Sequence, residues 1–214
     1  MDKLKYTRKE YTADLTLDKN ILAADPIVQF ERWYQDAEKT GITEPNAMTL
    51  ATVSEDGKPS ARMVLLKGFS QTGFTFYTNY GSKKAIEIQD NPMVTSVFWW
   101  KELARQVRIE GVAEKVDYDT SLSYFHSRPR GSQIGAWASP QSKVITKPDL
   151  ETRWKEVEER FENQDLLPLP EFWGGYMIKP FIIEFWQGRE NRYHDRFRYQ
   201  HSDDGHWTLD RIAP

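Results

Sequence analysis

The densest set of chemistry-bearing side chains lies in the stretch Ile183-Glu184-Phe185-Trp186-Gln187-Gly188-Arg189-Glu190-Asn191-Arg192-Tyr193-His194-Asp195-Arg196. If a strand begins near Arg192, alternation puts Arg192, His194 and Arg196 on one face, two guanidinium groups and an imidazole in a row across from Trp186. Such a row suits a ligand that is both anionic and aromatic, because a guanidinium binds oxyanions and stacks on rings while a histidine titrates near neutrality. Taken singly, His194 is more often a satisfied structural histidine and Trp186 more often core. Their company on one strand face in a nearly neutral protein favours a site.

Two further clusters carry charge. In Arg62-Met63-Val64-Leu65-Leu66-Lys67 a strand sends Arg62 and Lys67 to opposite faces or ends, and Ser82-Lys83-Lys84 stands at a helix start. Lysines beside the free N–H groups of a helix N-terminus make an anion site, although their charge opposes the helix dipole. The alternative is that Lys83 and Lys84 are solvated and Arg62 is a surface ion pair. In Tyr124-Phe125-His126-Ser127-Arg128-Pro129-Arg130-Gly131-Ser132 a helix ends, and Tyr124, Arg128, Arg130 and Ser132 can converge on an oxyanion. An ordinary helix C-terminus with dipole-favoured arginines fits the same residues. Gln141-Ser142 adds an amide and a hydroxyl of the kind that read a heterocycle edge.

The elements that must position these groups follow from periodicity. Asp25-Pro26 starts an amphipathic helix with Ile27, Phe30, Tyr34 and Ala37 on one face and Gly41 beyond its end. From Met48 the period becomes two: MTLATVS and SARMVLLK form a hairpin about Asp56-Gly57, and FTFYTN after Thr72-Gly73 completes a three-strand meander. A short helix capped by Ser82 precedes strands near Val94 to Trp100 and Arg105 to Val116. Helical patterns cover Asp119 to Ser127, Gln133 to Ser139 and Leu150 to Glu162, and strands return at Gly175 to Ile178, Ile182 to Gln187, Arg196 to His201 and Trp207 to Ile212. Short turns between strands, with helices inserted rather than alternating, predict a mainly β, α+β protein: an antiparallel barrel with peripheral helices. Residues 1–20, polar and unpatterned, read as an arm or lid, and 21–214 as one domain.

Composition narrows the function. The chain has 214 residues with net charge -3, which disfavours attraction to nucleic-acid backbones. Having no cysteine, it lacks disulfides, thiolate metal sites and thiol nucleophiles, so redox chemistry requires a bound cofactor. Four histidines without an H-E-x-x-H pattern predict no catalytic metal, and no Rossmann glycine pattern, P-loop or nucleophile elbow is present. A charged start without an apolar signal core, and apolar runs of only a few residues, predict a cytoplasmic protein without a membrane span.

The E-F-W-Q-x4-R-x-H-D-R motif, with RMVLLK, YFHSRPR-G-S and the DRIAP segment, closely resembles the pyridoxine/pyridoxamine 5'-phosphate oxidase family, from about Arg8 to Pro214. The resemblance implies an FMN-binding split β-barrel homodimer whose two FMN sites lie at the subunit interface, each built from both chains. It implies FMN contacts from Arg62, Met63, Val64, Leu65, Leu66 and Lys67, from Tyr77, Thr78, Lys83 and Lys84, and from Gln106, Gln141, Ser142, Trp186 and Arg196. For the substrate it implies Lys67, Tyr124, Arg128 and Ser132 at the phosphate, Arg192, Tyr193 and His194 at the pyridine ring, and Arg8, Lys9, Glu10 and Tyr11 closing over it. Arg192 and His194 are the implied catalytic residues, orienting the substrate and assisting proton removal, with His194 the better base on pKa grounds. The implied reaction oxidises pyridoxine 5'-phosphate or pyridoxamine 5'-phosphate to pyridoxal 5'-phosphate, with dioxygen as acceptor. Departures from the family pattern are Tyr193 in place of an aliphatic residue, Lys83 in place of arginine, and a short N-terminal arm. Competing readings are another split-barrel FMN oxidoreductase, a non-enzymatic pyridoxal phosphate carrier, and a barrel stacking single-stranded nucleic acid.

Overall fold

The computed structural model describes residues 6, 11, 16–202 and 204–214. The expected Arg8, Lys9 and Glu10 lie outside the described residues. In chain order the elements are α1 (Pro26–Lys39), β1 (Ala47–Val53), β2 (Pro59–Leu65), β3 (Gly68–Ser70), β4 (Gly73–Asn79), α2 (Lys83–Asp90), β5 (Met93–Trp100), β6 (Arg105–Lys115), α3 (Tyr118–Ser127), α4 (Arg130–Ala138), α5 (Lys147–Arg160), β7 (Trp173–Gln187), β8 (Asp195–His201) and β9 (Trp207–Arg211). The strands run in the hydrogen-bonded order β2-β1-β5-β6-β7-β4-β3, with β8 on β7 and β9 on β8. This is the expected mainly antiparallel α+β class. Among the described residues no helix is long and apolar enough to cross a membrane.

The chain forms two compact units, each discontinuous in sequence. The first comprises the described residues of 1–50, 95–111 and 180–214, the second 51–94 and 112–179. In the first unit α1 starts as its sequence dictates: the Asp25 side chain accepts a hydrogen bond from the Ile27 amide at 2.7 Å, and Pro26 occupies the first turn. Its inner face is Ile27, Phe30, Trp33 and Ala37. Trp33 is buried where Tyr34 was expected, set edge-on to Phe185 at 5.1 Å between ring centroids. The sheet behind contributes Phe98, Trp100, Ile109, Phe197 and Tyr199, whose hydroxyl donates to the Ala23 carbonyl.

In the second unit Phe74, Phe76, Tyr176 and Ile178 form the sheet side of the core, and Phe125, Ile134, Phe161, Leu167 and Trp173 the helical side. The Asp117 carboxylate caps α3 and the Thr146 hydroxyl caps α5. Three expectations are corrected here. The meander β1-β2-β4 does not form, because β4 pairs with β7 along Phe74–Asn79 and with the short β3, so β2 is left as an edge strand. Gly175 to Ile178 and Ile182 to Gln187 are one fifteen-residue strand; Pro180, which lacks an N–H, falls between the part paired to β4 and the part paired to β8. Residues 190–192 form a 3-10 turn with left-handed backbone at Asn191 and Arg192, so β8 begins at Asp195 and Arg192 does not share a strand face with Arg196.

Candidate active site

The second unit holds a cleft of about 580 Å³, the size of a small-molecule site. Strand β2 brings Arg62, Met63, Val64 and Leu65 to it, with Lys67 just beyond; β4 brings Tyr77, Thr78 and Asn79, α2 brings Lys83 and Lys84, and Tyr124, Arg128, Gln141, Ser142 and Trp173 complete the wall. Five of these are cations and none is acidic. Nearly every residue expected in this part of the site is therefore brought together. The exceptions are Leu66, whose side chain is buried in the core, and Ser132, which lines an adjoining recess instead.

A buried carboxylate organises the first group of cations. Glu87 accepts hydrogen bonds from the Ser60 and Thr52 hydroxyls and from Arg62, and pairs with Lys83 at 3.7 Å one turn back on α2. Burial alone would push its carboxyl up, but the hydroxyls and the two cations outweigh it and hold Glu87 below the ordinary range. Arg62 is locked further by donating to Thr52 and Ser60. Lys84 is different: 7% exposed, among the described residues it donates to the hydroxyls of Thr78 at 3.1 Å and Ser82 at 3.3 Å, both neutral. Burial, with Arg62 nearby, brings its ammonium down to about 8. Ser82 thus spends its hydroxyl beside Lys84 rather than capping α2.

The second group is aromatic and cationic. Tyr77 stacks on Tyr124 with ring centroids 3.9 Å apart, Trp173 lies nearly parallel to both, and the Arg128 guanidinium sits 4.7 Å above the Trp173 ring. Arg128 Nη1 is buried without a hydrogen-bond partner among the described residues, and burial lowers the affinity of this guanidinium for its proton. Arg128 and Ser132 both line a smaller recess. Arg130 does not converge with them: it donates to the carbonyls of Phe161 and Gln164 and ties α4 to the end of α5. The two incompletely matched cations, Lys84 and Arg128, fit a ligand that brings phosphate oxygens to the cleft.

The remaining expected residues lie in the first unit. His194 packs on Trp186 at 4.6 Å, and Tyr11 meets both rings edge-on at 5.8 and 5.9 Å. The Arg189 amide donates to His194 Nδ1 at 3.0 Å, so the neutral ring carries its hydrogen on Nε2. Burial, aided by Arg192 and opposed by Asp195, lowers the imidazole below its ordinary value. The base expected from pKa alone is therefore presented as a donor at Nε2. Arg192 and Tyr193 are exposed on the 3-10 turn, and Gln106 is half-buried on β6. Arg196 stands directly opposite Trp186 in the β7/β8 register and is tied to Glu184.

Sequence reasoning passed over Trp173, Asn79, Glu87 and Glu184. Glu87 had a signal in its place one helical turn after Lys83, and Glu184 in its alternation with Trp186. Trp173 had none, since its role rests on contacts with Arg128, forty-five positions away.

Comparison with known proteins bears on both units. Residues 34–160 match the family model described as pyridoxamine 5'-phosphate oxidase, and residues 173–214 the model described as pyridoxine 5'-phosphate oxidase C-terminal dimerisation region. A pyridoxine/pyridoxamine 5'-phosphate oxidase of Salinibacter ruber is 52% identical over the full length of both chains, and one of Dichelobacter nodosus is 51% identical over 97% of each. Among solved structures, PhzG from Burkholderia lata, in complex with tetrahydrophenazine-1-carboxylic acid, is similar with a TM-score of 0.88 at 25% identity, covering 95% of this chain and all of that one. A pyridoxamine 5'-phosphate oxidase-related, FMN binding protein from Nostoc punctiforme shares the fold, with a TM-score of 0.72 at 18% identity over 91% of this chain and 99% of that one. The split-barrel fold expected from the sequence is the one these structures share. With both family models in register and half of all residues identical over whole chains, the protein belongs to the pyridoxine/pyridoxamine 5'-phosphate oxidase family of oxidoreductases.

Proposed function

We propose that the chain oxidises pyridoxine 5'-phosphate and pyridoxamine 5'-phosphate to pyridoxal 5'-phosphate, using FMN and dioxygen and releasing hydrogen peroxide, with water consumed and ammonia released from the amine. The observation that carries this reading is the cleft walled by five cations and no acid, with Lys84 and Arg128 incompletely matched. FMN and both substrates are phosphate monoesters on flat heterocycles, and such a wall suits them. When bound, FMN supplies the two-electron chemistry, accepting a hydride equivalent from the substrate 4'-carbon and delivering the electrons to dioxygen.

The chain's own groups bind and orient. Arg62, Lys83 and Lys84 take the FMN phosphate, with Thr78, Gln141 and Ser142 on the adjoining chain of the cofactor, and Gln106, Trp186 and Arg196 attend the flavin ring. Lys67, Tyr124, Arg128 and Ser132 hold the substrate phosphate. Arg192 and His194 Nε2 donate to the pyridine substituents and fix the 4'-carbon for transfer, while Tyr11 excludes water over Trp186 and His194. The C-terminal dimerisation region supports a homodimer, and each site is built from both of its chains.

Oxygen consumption and peroxide release by the FMN-loaded protein, with pyridoxine 5'-phosphate and with unphosphorylated pyridoxine, test this. Turnover of the phosphate ester, with pyridoxine at least about tenfold poorer in kcat/KM for lack of charge-assisted bonds, supports the assignment. Bound FMN that turns over neither phosphate ester contradicts it.

A further inference from the structure

Glu184, in the middle of β7, is 2% exposed, and a carboxylate buried that deeply is costly unless it is paired. Two arginines pair it from opposite sides. Arg108 Nη2 donates to Oε2 at 2.6 Å, and Arg196 donates through Nε and Nη2 to Oε1, each at 2.9 Å. The arginines are not equivalent. Arg108 has a second acid, Glu110, 3.2 Å from its Nε, an ion-pair contact without a hydrogen bond. The remaining described hydrogen bond of the Arg196 side chain runs from Nη1 to the Ala213 carbonyl at 2.9 Å. That segment is itself fastened to β8, since the Ile212 amide donates to the Arg196 carbonyl at 3.0 Å.

We propose that Glu184 and the Ala213 carbonyl are the positioning groups of Arg196: together they fix the plane of its guanidinium, and the charge of Glu184 sets how strongly Arg196 favours the reduced flavin. Of five guanidinium donors, three are spent on these anchors, which leaves one on each terminal nitrogen for a ligand. A cation with a carboxylate at 2.9 Å is partly neutralised, so its field at a neighbouring group is smaller than that of a free guanidinium. Glu184 therefore exchanges some electrostatic strength for fixed geometry. The inference rests on the assignment of Arg196 to the flavin ring made above.

The test is the midpoint potential of FMN bound to the full-length protein and its variants. Arg196→Met lowers the potential, and Glu184→Gln, which keeps an acceptor but removes the charge, raises it. The expected rise is at least a tenfold gain in the reduced-to-oxidised ratio at fixed poise, about 30 mV for a two-electron couple. In the double variant the potential returns to that of Arg196→Met alone. Opposite signs separate this role from a merely structural one, which moves both variants the same way, toward free FMN. A Glu184→Gln potential that is unchanged or lower, beside a shifted Arg196→Met, overturns the proposal. An unshifted Arg196→Met overturns instead the placement of Arg196 at the flavin. Where Glu184→Gln fails to fold, a chain lacking residues 213–214 supplies the test: its potential moves in the direction of Arg196→Met, and an unchanged value overturns the proposal.

Discussion

Lys84 is only half accommodated by the protein around it: its neighbours are two hydroxyls and a like-charged arginine, and its ammonium is brought down to about 8. The sign of the consequence follows. Below this value Lys84 is charged before the phosphate arrives; above it, binding must bring a proton along. The FMN dissociation constant is expected to be level from about pH 7 to 8 and to rise above that by up to about tenfold per pH unit, a dependence that Lys84→Met abolishes while weakening binding throughout. Fluorescence titration of FMN across this range checks it, and a level profile to pH 9.5 in the wild type contradicts it. Arg62→Ala is expected to lose FMN. Arg192→Ala and His194→Ala keep it and fall in kcat/KM by roughly 10- to 100-fold, as for a charged hydrogen bond worth about 1.5–3 kcal/mol; unaltered kinetics in either would remove it from the substrate site. At this scale the sequence showed which residue types gather but not what each one faces. Arg128 and Arg130 are two positions apart and indistinguishable by composition, yet one is half-buried over Trp173 with its Nη1 buried and unpaired among the described residues, and the other is consumed by two carbonyls. His194 was legible as a titrating group, while the amide that fixes its hydrogen comes from Arg189 and depends on the turn at 190–192.

Local signals placed the elements well, and pairing was harder to read. The caps and Pro26 of α1, the Asp56-Gly57 turn and the period-two runs all act over a few residues and are written in the chain. The union of β4 with β7 is set by contacts a hundred positions apart, so β2 looked like its natural partner. Pro180 looked like a strand break because its missing donor matters only where a neighbour would accept, and here the two paired halves leave it between them. The glycines of β7 have a positional purpose. A Cβ at Gly175 would lie 2.7 Å from Val116 Cγ2 and 2.8 Å from Tyr77 Cε1, and Tyr77 backs the Tyr124 ring. Gly175→Ala is expected to cost about 1–3 kcal/mol in denaturant unfolding and to raise the KM for the phosphorylated substrate. Full stability with unchanged KM would show that Tyr77 can move without disturbing the site.

For the whole molecule, the residues proposed for the site fall in both units of the chain. If each site is completed across the dimer, two inactive variants with lesions in different units complement each other. Mixing Arg62→Ala with His194→Ala under conditions that exchange subunits is expected to restore roughly a quarter of wild-type activity, since half the dimers are mixed and each has one intact site. No restoration despite demonstrated exchange would place each site within a single chain. FMN-dependent oxidation of a phosphorylated pyridine substrate is visible in the absorption spectrum of the FMN-loaded protein during anaerobic addition of pyridoxine 5'-phosphate, then on admitting air. The flavin bands are expected to bleach with substrate and return with oxygen, with peroxide formed in equal amount. Flavin bands that persist unchanged in the presence of the phosphate ester would contradict it.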